Sequence, residues 1–382
     1  MAPDGSGGPY HVLIGAGDQV YCDAVWEEIP ELRALRTWKK RAAKKVSARL
    51  EQQIEALYGR LYGRWLESTF FELHARVPGI YTWDDHDIFD GWGSYDVDLQ
   101  DCDLFQAIYR CARRAFLLFQ LGADGDGSSG LQLDAGSGHS LQAARFDGEL
   151  DVLALDLRSD RTDRRVLGER QWSAIHSFLA TRAASASSSH LIVVSSVPVV
   201  YLNFATAEHA LHVLPWRQDL EDDLRDQWES EAHQEERARL IMTLLDHAAA
   251  TKTRVSIVSG DVHVGARGQV VSRRPEHLLD GEPAAVIHQL TSSAIVYPPP
   301  GAFALAGMRA IANEGPLPLL AVSGVATEML PVTGGELLLG RNSWLSIEPD
   351  PGWTSSRQRL WVRWMTAAGD VKPPLVIHRR QV

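Results

Sequence analysis

The sequence predicts an α/β protein, and three observations support that class. Short apolar runs, such as those at residues 11–14 and 191–194, alternate with segments of helical periodicity, as expected when buried strands alternate with helices. Polar clusters directly follow the ends of several of these runs. In open α/β sheets the functional site lies outside the carboxyl ends of the strands. The pattern therefore predicts a site at a strand-end edge.

The elements can be placed along the chain from the spacing of apolar and turn-forming residues. Strands are predicted at 11–17, 80–83, 191–195, 253–259 and 285–290, with a hairpin over 145–158. Helices are predicted at 31–76, with interruptions near Gly59 and Gly63, and at 104–121, 168–184 and 219–250. We expect residues 1–382 to form a single domain. It would carry a helical insertion at about 31–76, a mobile loop at about 122–140, and a tail from Leu337 that closes a second sheet.

Composition excludes several classes of function. The formal net charge of −11 and the lack of a basic face argue against nucleic-acid binding. No apolar run reaches the length of about 18 residues that a membrane span needs. The three cysteines are widely spaced, which argues against a disulfide framework and against a zinc site. No secretory signal is visible, so we expect the chain as given to be cytoplasmic, with export left open.

The polar clusters at the strand ends contain residue types that bind metal ions. They are Asp18 and Tyr21 in GDQVY, Asp85, His86 and Asp87 in DDHD, and Asp261 and His263 in GDVH. Carboxylate, phenolate and imidazole groups suit hard to borderline cations, and a tyrosine ligand favours a ferric ion. Alternate residues of an extended segment point the same way, so Asp261 and His263 are predicted to face one centre.

Taken in this order, the clusters resemble those of the metallophosphoesterases, and within them the PhoD-like phosphatases of the alkaline phosphatase D type. The blocks that carry the resemblance are Gly17-Asp18-x-x-Tyr21, Trp83-Asp84-Asp85-His86-Asp87, Leu155-Asp156-x-Arg158-x-x-Arg161 and Ser259-Gly260-Asp261-Val262-His263. The resemblance implies an αββα sandwich, in which two mixed β-sheets are flanked by helices. It also implies hydrolysis of phosphomonoesters, with diesters as a further possibility.

The resemblance also implies roles for individual residues. Asp18 would bridge two metal ions, Fe³⁺ with Ca²⁺ or another divalent ion. The remaining ligands would be Tyr21 and His263 on the first ion, and Asp85 and Asp261 on the second. His86 would protonate the leaving alkoxide, because a histidine flanked by carboxylates is easily kept protonated.

Arg158 and Arg161 allow two interpretations. A guanidinium group binds phosphate through two hydrogen bonds, so both arginines are candidates for contacting the substrate. They could instead pair with Asp156 or Asp160 as part of the scaffold. The sequence does not decide between these roles.

The chain departs from the family pattern at its start. Metallophosphoesterases open with a strand that supplies a further metal ligand, and the first ten residues, MAPDGSGGPY, show no strand pattern. One hypothesis is that the chain is a fragment of a longer protein. The other is that it is a degenerate homologue, impaired in catalysis, that binds phosphate compounds or a protein partner.

Overall fold

The computed structural model describes residues 10–380, apart from 69, 124–129, 135, 137, 147–148, 185–188, 203–226, 313–314, 321, 333–334, 351–358 and 379. The chain divides into two compact units. The first is Met1–Gln142 with Ala154–Gln171, and the second is Ala143–Leu153 with Trp172–Val382. The prediction that the whole chain forms a single domain stays a prediction.

The first unit holds a small parallel sheet and a group of helices. Its two strands are β1 (Leu13–Ala16) and β2 (Gly79–Thr82), paired in parallel with Leu13 opposite Gly79. Its helices are α1 (Val25–Glu28), α2 (Pro30–Arg33), α3 (Trp38–Ala42), α4 (Ala48–Leu66), α5 (Phe71–His74), α6 (Val97–Gln100) and α7 (Asp103–Phe119). A strand preceding β1 is not tested, since residues 1–9 lie outside the described residues.

Helix α4 supplies much of the core of this unit. Its amino end is capped by Ser47, whose hydroxyl accepts a hydrogen bond from the Leu50 amide at 3.2 Å. The buried side chains follow a helical spacing and pack into the same apolar cluster as those of α7. The predicted interruptions at Gly59 and Gly63 are wrong, because the helix runs through both glycines without a break.

The predicted helix at 31–76 is instead four helices, α2 to α5, whereas the helix predicted at 104–121 is confirmed as α7. Part of the loop predicted over 122–140 lies outside the described residues.

The second unit is built on a mixed sheet of nine strands. They are β3 (Gln142–Phe146), β4 (Leu150–Ala154), β5 (His190–Val194), β6 (Arg254–Ser259), β7 (Gly265–Ser272), β8 (Ala285–Thr291), β9 (Leu317–Pro318), β10 (Val325–Leu330) and β11 (Leu338–Leu339). The order is β3-β4-β5-β6-β8-β7-β10-β9, and β11 pairs with β7. Its helices are α8 (Glu169–Ala184), α9 (Gln234–Thr251) and α10 (Ala302–Ala312). The α/β class is therefore confirmed.

Parallel strands form the centre of this sheet. β5 and β8 each pair in parallel with β6, and every residue of β5 is buried. This explains why β5 is a continuous apolar run rather than an alternating one. The predicted hairpin over 145–158 corresponds to β3 and β4, which are neighbours in the sheet.

The tail forms the second sheet that the sequence predicts. It has four strands, β12 (Ser343–Pro349), β13 (Arg359–Thr366), β14 (Gly369–Asp370) and β15 (Leu375–His378), and all of their pairings are antiparallel. None of the helices in the described part of the chain is both long and apolar enough to cross a membrane.

Candidate active site

The loop that follows β1 carries the first predicted ligand in a strained conformation. Gly17 has a φ of 95° and Asp18 a φ of 56°, a region that residues with a side chain rarely adopt. The backbone N–H groups of Asp18 and Val20 donate to the two carboxylate oxygens of Asp87, at 2.8 and 3.1 Å. These bonds hold the loop in place and offset the strain.

Asp87 holds in place the acid cluster formed by Asp84, Asp85, His86 and Asp87. Its carboxylate also accepts from the Asp84 amide at 2.9 Å and from the Gln120 side chain at 3.0 Å. Burial raises the pKa of Asp87 to about 7, although the hydrogen bonds from Asp84, Gln120 and Val20 act to lower it. The carboxylate therefore fixes the loop after β1 and the turn after β2 together.

The structure brings Asp18, Asp85 and His86 together. One ligand atom of each lies within 4.8 Å of the others. The Asp85 carboxylate also accepts from the Gly91 amide at 2.7 Å and from the Arg158 guanidinium at 3.2 Å. In contrast, the buried Oδ1 atom of Asp18 has no hydrogen-bond partner among the described residues. Burial, together with the charge of Asp84, raises the pKa of Asp18 well above its usual range.

His86 is held on two sides. Its Nδ1 lies 2.6 Å from a carboxylate oxygen of Asp23, and its ring stacks on Tyr21 with 4.3 Å between centroids. Burial lowers the pKa of His86, but the hydrogen bond to Asp23 and the charges of Asp85 and Asp18 outweigh that effect and raise the pKa to about 12. The imidazole is therefore held as a cation in a fixed orientation.

Sequence reasoning missed Asp23. It lies two residues after Tyr21 in GDQVYCD, and its other carboxylate oxygen accepts from the Asp90 amide at 2.7 Å. Burial acts to raise the pKa of Asp23, but the hydrogen bond and charge of His86 prevail and lower it. The signal in the sequence was a second acid in the same short loop, although nothing local shows that it meets a histidine 63 positions away.

Asp156, in the Leu155–Arg161 motif, supports the Trp83–Asp87 motif from within the core. The fully buried carboxylate of Asp156 accepts from the Trp83 indole at 2.8 Å and from both the backbone and hydroxyl of Ser140 at 2.7 Å. Burial raises the pKa of Asp156, but its hydrogen bonds, first that from Ser159, outweigh burial and lower the pKa. Asp156 is thus a structural carboxylate that anchors the start of the acid cluster.

Arg158 is completely buried. Its guanidinium pairs with Asp84 and Asp85 and donates to the Trp92 carbonyl at 2.9 Å. This arrangement favours the scaffold interpretation, although the partners differ from those the sequence suggested. A buried arginine beside two carboxylates supplies part of the positive charge that this acid cluster needs.

Arg161 is also buried, and its side chain passes close over Gly93. A β-carbon at Gly93 would come within 2.6 Å of the arginine, and the φ of Gly93 is 97°. The glycine therefore provides the space that the arginine occupies. Contact of Arg158 or Arg161 with substrate stays a prediction.

In the second unit, Asp261 and His263 lie on the turn between β6 and β7. Their φ values are 66° and 56°, so the segment is not extended, and the argument from alternating residues was wrong. A carboxylate oxygen of Asp261 accepts from the Gln227 side chain at 2.9 Å. The His263 ring lies 4.5 Å from the ring of Tyr297, between centroids.

Left-handed backbone conformations concentrate at the predicted ligands. The non-glycine residues with positive φ in the described chain are Asp18, Asp134, Lys252, Asp261 and His263. Asp18, Asp261 and His263 are predicted metal ligands, and all three follow directly on parallel strands. Strained conformations persist where the surroundings fix them, and they cluster at functional sites.

The donor set in the first unit fits a metal ion. A buried carboxylate oxygen without a donor is costly, and here it belongs to Asp18, which lies against Asp85 and His86. A cation would satisfy that oxygen and offset the mutual repulsion of the acids. The carboxylates of Asp18 and Asp85 are suitable ligands for it.

Comparison with known proteins places this fold and these motifs in one family. The model of the PhoD related phosphatases matches residues 3–218 and 216–317. The chain therefore belongs to the PhoD related phosphatase family, as its motifs predicted.

The match to an individual relative has low sequence identity and covers only part of that protein. The chain is 28% identical over 327 residues to the uncharacterized protein YGR266W of Saccharomyces cerevisiae, which covers 71% of this chain. The match spans only 47% of the length of that yeast protein.

Among solved structures, that of PhoD is similar with a TM-score of 0.57 and 12% identity, covering 96% of this chain and 63% of that one. This likeness confirms the metallophosphoesterase-like fold. A dimetal phosphatase from Danio rerio matches with a TM-score of 0.37 and 10% identity, over 88% of this chain and 91% of that one. So low a score supports no further argument.

Proposed function

We propose that this protein is a metal-dependent hydrolase of phosphoric esters, acting on monoesters and also on diesters. The observation that carries the proposal is the cluster of Asp18, Asp85 and His86, in which a buried carboxylate oxygen has no donor among the described residues. Membership of the PhoD related phosphatase family supports the same chemistry.

The residues proposed to hold the metal ions come from the family motifs. Asp18, Tyr21 and Asp85 belong to the first unit, where Asp18 and Asp85 lie together. Asp261 and His263 are assigned to the same ions by the sequence motif alone. We propose Fe³⁺ with Ca²⁺ or another divalent ion. When bound, such ions lower the pKa of a water molecule and neutralise charge on the phosphoryl oxygens.

His86 is proposed as the group that gives a proton to the leaving oxygen. Because Asp23 occupies Nδ1, the imidazole presents Nε2 for that role. Stacking on Tyr21 holds the plane of the ring. A general acid needs both features, since it must meet the leaving oxygen in one orientation and carry a proton when it does so.

Hydrolysis of p-nitrophenyl phosphate and its bis-ester tests the proposal. Activity should be lost on chelation, restored by added metal, and reduced by at least about 100-fold in Asp18→Asn, because that change removes an anionic ligand. The matched control is Asp98→Asn, which alters an exposed carboxylate of the same unit. A folded protein that binds metal but hydrolyses neither ester would instead indicate the non-catalytic homologue.

A further inference from the structure

Gln227 makes a contact that the family motifs do not assign. It is buried, and its side-chain Nε2 donates to a carboxylate oxygen of Asp261 at 2.9 Å. The orientation of the amide follows from chemistry, since an ionised carboxylate accepts hydrogen bonds and cannot donate one. The nitrogen of Gln227 must therefore face Asp261, and its oxygen must point elsewhere.

That oxygen is the second observation. Oε1 of Gln227 is buried and has no hydrogen-bond partner among the residues that the structure describes. An amide oxygen is an acceptor only, so it requires a hydrogen donor or a cation. It belongs to the same amide group that touches Asp261, which places an unsatisfied acceptor close to a proposed metal ligand.

The segment around Gln227 is firmly held. The neighbouring Trp228 is fully buried, and its indole lies 3.3 Å from the Ser195 hydroxyl. The Gln227 carbonyl accepts from the Ser230 amide at 3.1 Å. Gln227 is therefore placed by its backbone as well as by its side chain.

A buried ion pair completes this support. Arg237 pairs with Glu229, and it also donates to the Val199 carbonyl at 2.7 Å. Burying both charges is costly unless each is well hydrogen-bonded. This pair therefore fixes the start of α9 relative to the segment that carries Gln227.

We propose that Gln227 is a positioning residue of the metal site. Its Nε2 sets the orientation of the Asp261 carboxylate, and its Oε1 would accept a hydrogen bond from a donor that enters the site when a metal ion binds. This inference rests on the proposed function, in which Asp261 is a metal ligand. Residues that orient ligands in this way affect metal affinity by about 10- to 100-fold.

The test measures metal affinity rather than activity. Mn²⁺ is titrated by calorimetry into the full chain after removal of metal with a chelator. Gln227→Met keeps the length of the side chain and removes both polar atoms, so it should weaken Mn²⁺ binding by about 10- to 100-fold. Gln227→Glu keeps the size but cannot donate to Asp261, and it should lose the same orienting contact.

The control is Gln234→Ala. Gln234 is partly buried and donates to the Glu229 carbonyl at 2.7 Å, close to Gln227 in the chain. Its loss tests general loosening of this segment, and Mn²⁺ affinity should stay within about twofold of the wild-type value. Thermal unfolding without metal shows whether each variant folds, and the rise in Tm on adding Mn²⁺ should shrink only in the Gln227 variants.

The outcomes separate this inference from the proposed function. Wild-type Mn²⁺ affinity in both Gln227 variants would overturn the positioning role while leaving the hydrolase proposal intact. If both variants bind Mn²⁺ more weakly and the wild-type protein hydrolyses no ester, the positioning role is supported and the hydrolase proposal is contradicted. A wild-type chain that binds no metal would contradict both.

Discussion

At the scale of single residues, Asp87 determines the shape of the candidate site. Each of its two oxygens accepts two N–H groups, so the carboxylate has four donors from three parts of the chain. An ionised carboxylate is the only side-chain group of this size that accepts at both ends and donates at neither. The residue is therefore required for its geometry, independently of any metal.

We expect Asp87→Asn to lower the free energy of unfolding by about 2 to 3 kcal/mol, because either orientation of the amide turns its NH₂ group toward two N–H donors. Urea denaturation of the metal-free protein measures this. Asp101→Asn, at an exposed position of the same unit, should have an effect below about 0.5 kcal/mol. Equal stability of the two variants would show that Asp87 does not organise the loops.

The role of His86 as a proton donor can be tested by comparing substrates whose leaving groups differ. Without the proton donor, hydrolysis depends on how well the leaving oxygen carries negative charge. His86→Asn should therefore lower kcat by about 100-fold or more for an alkyl phosphate and by much less for p-nitrophenyl phosphate. Asp23→Asn should show the same trend with a smaller loss, since it removes the group that orients the ring. A loss equal for both substrates would contradict proton donation by His86.

At the scale of elements, replacing glycine by alanine is expected to have opposite effects on stability at Gly93 and at Gly59. Gly93 has a φ of 97° and lies against Arg161, whereas Gly59 sits within α4 with nothing inside 4 Å of its missing β-carbon. Gly93→Ala should cost about 1 to 3 kcal/mol from backbone strain and steric contact. Gly59→Ala should stabilise the protein by roughly 0.5 to 1 kcal/mol. Thermal unfolding of the two variants measures both effects, and destabilisation by Gly59→Ala would show that α4 needs its glycine.

Strand β8 carries a histidine that makes stability depend on pH. Burial lowers the pKa of His288 to about 3, helped by the charges of Arg254, Arg267 and His190. The ordinary value is about 6.5, so the folded state disfavours the proton. Stability from this group is complete above pH 6.5 and is lost as the pH falls below it. At pH 5 the loss is on the order of 1 to 2 kcal/mol.

Urea denaturation of the metal-free protein at pH 7.5 and pH 5 tests this prediction. His288→Gln should reduce the difference in unfolding free energy between the two pH values by that amount. His378→Gln, at an exposed position on β15, should leave the difference unchanged. If the two variants respond to pH alike, His288 does not carry the effect.

The elements also show what sequence patterns can and cannot predict. β5 and α7 were predictable because a continuous apolar run and a helical apolar stripe each have one simple explanation. The breaks predicted in α4 were wrong because a glycine costs only about 1 kcal/mol, and burial of neighbours such as Leu57 and Leu61 outweighs that cost. β7 was missed because glycine and polar residues (Gly265, Arg267, Gly268 and Gln269) interrupt its apolar pattern, so the strand is defined by its partners β8, β10 and β11.

The candidate site was predictable to a different degree. Asp18, Asp85 and His86 were identified from residue types at strand ends, and the structure brings them together. Asp23 and Gln227 were not identified, because each acts through a contact with a residue that is distant in sequence, at separations of 63 and 34 positions. The burial of Arg158 was not predictable either, because the presence of an arginine in a motif does not indicate whether its side chain faces the substrate or the core.

At the scale of the whole molecule, the chain combines two compact units with a single set of family motifs. Asp18 in the first unit, and Asp261 and His263 in the second, each follow a parallel strand on a turn with left-handed backbone. The likeness to the structure of PhoD extends over 96% of the chain. The match to the yeast relative spans about half of that protein, at 47%, so the activity and substrates of the whole protein are proposals.

The most direct test of the central claim is a crystal structure of the protein with Mn²⁺, using anomalous scattering to locate the ion. We predict an anomalous peak within about 2.0 to 2.6 Å of Oδ1 of Asp18 and of a carboxylate oxygen of Asp85. The peak should disappear in Asp18→Asn and persist in Asp98→Asn. A structure in which Asp18 Oδ1 contacts only water or protein donors, with manganese elsewhere or absent, would contradict the account.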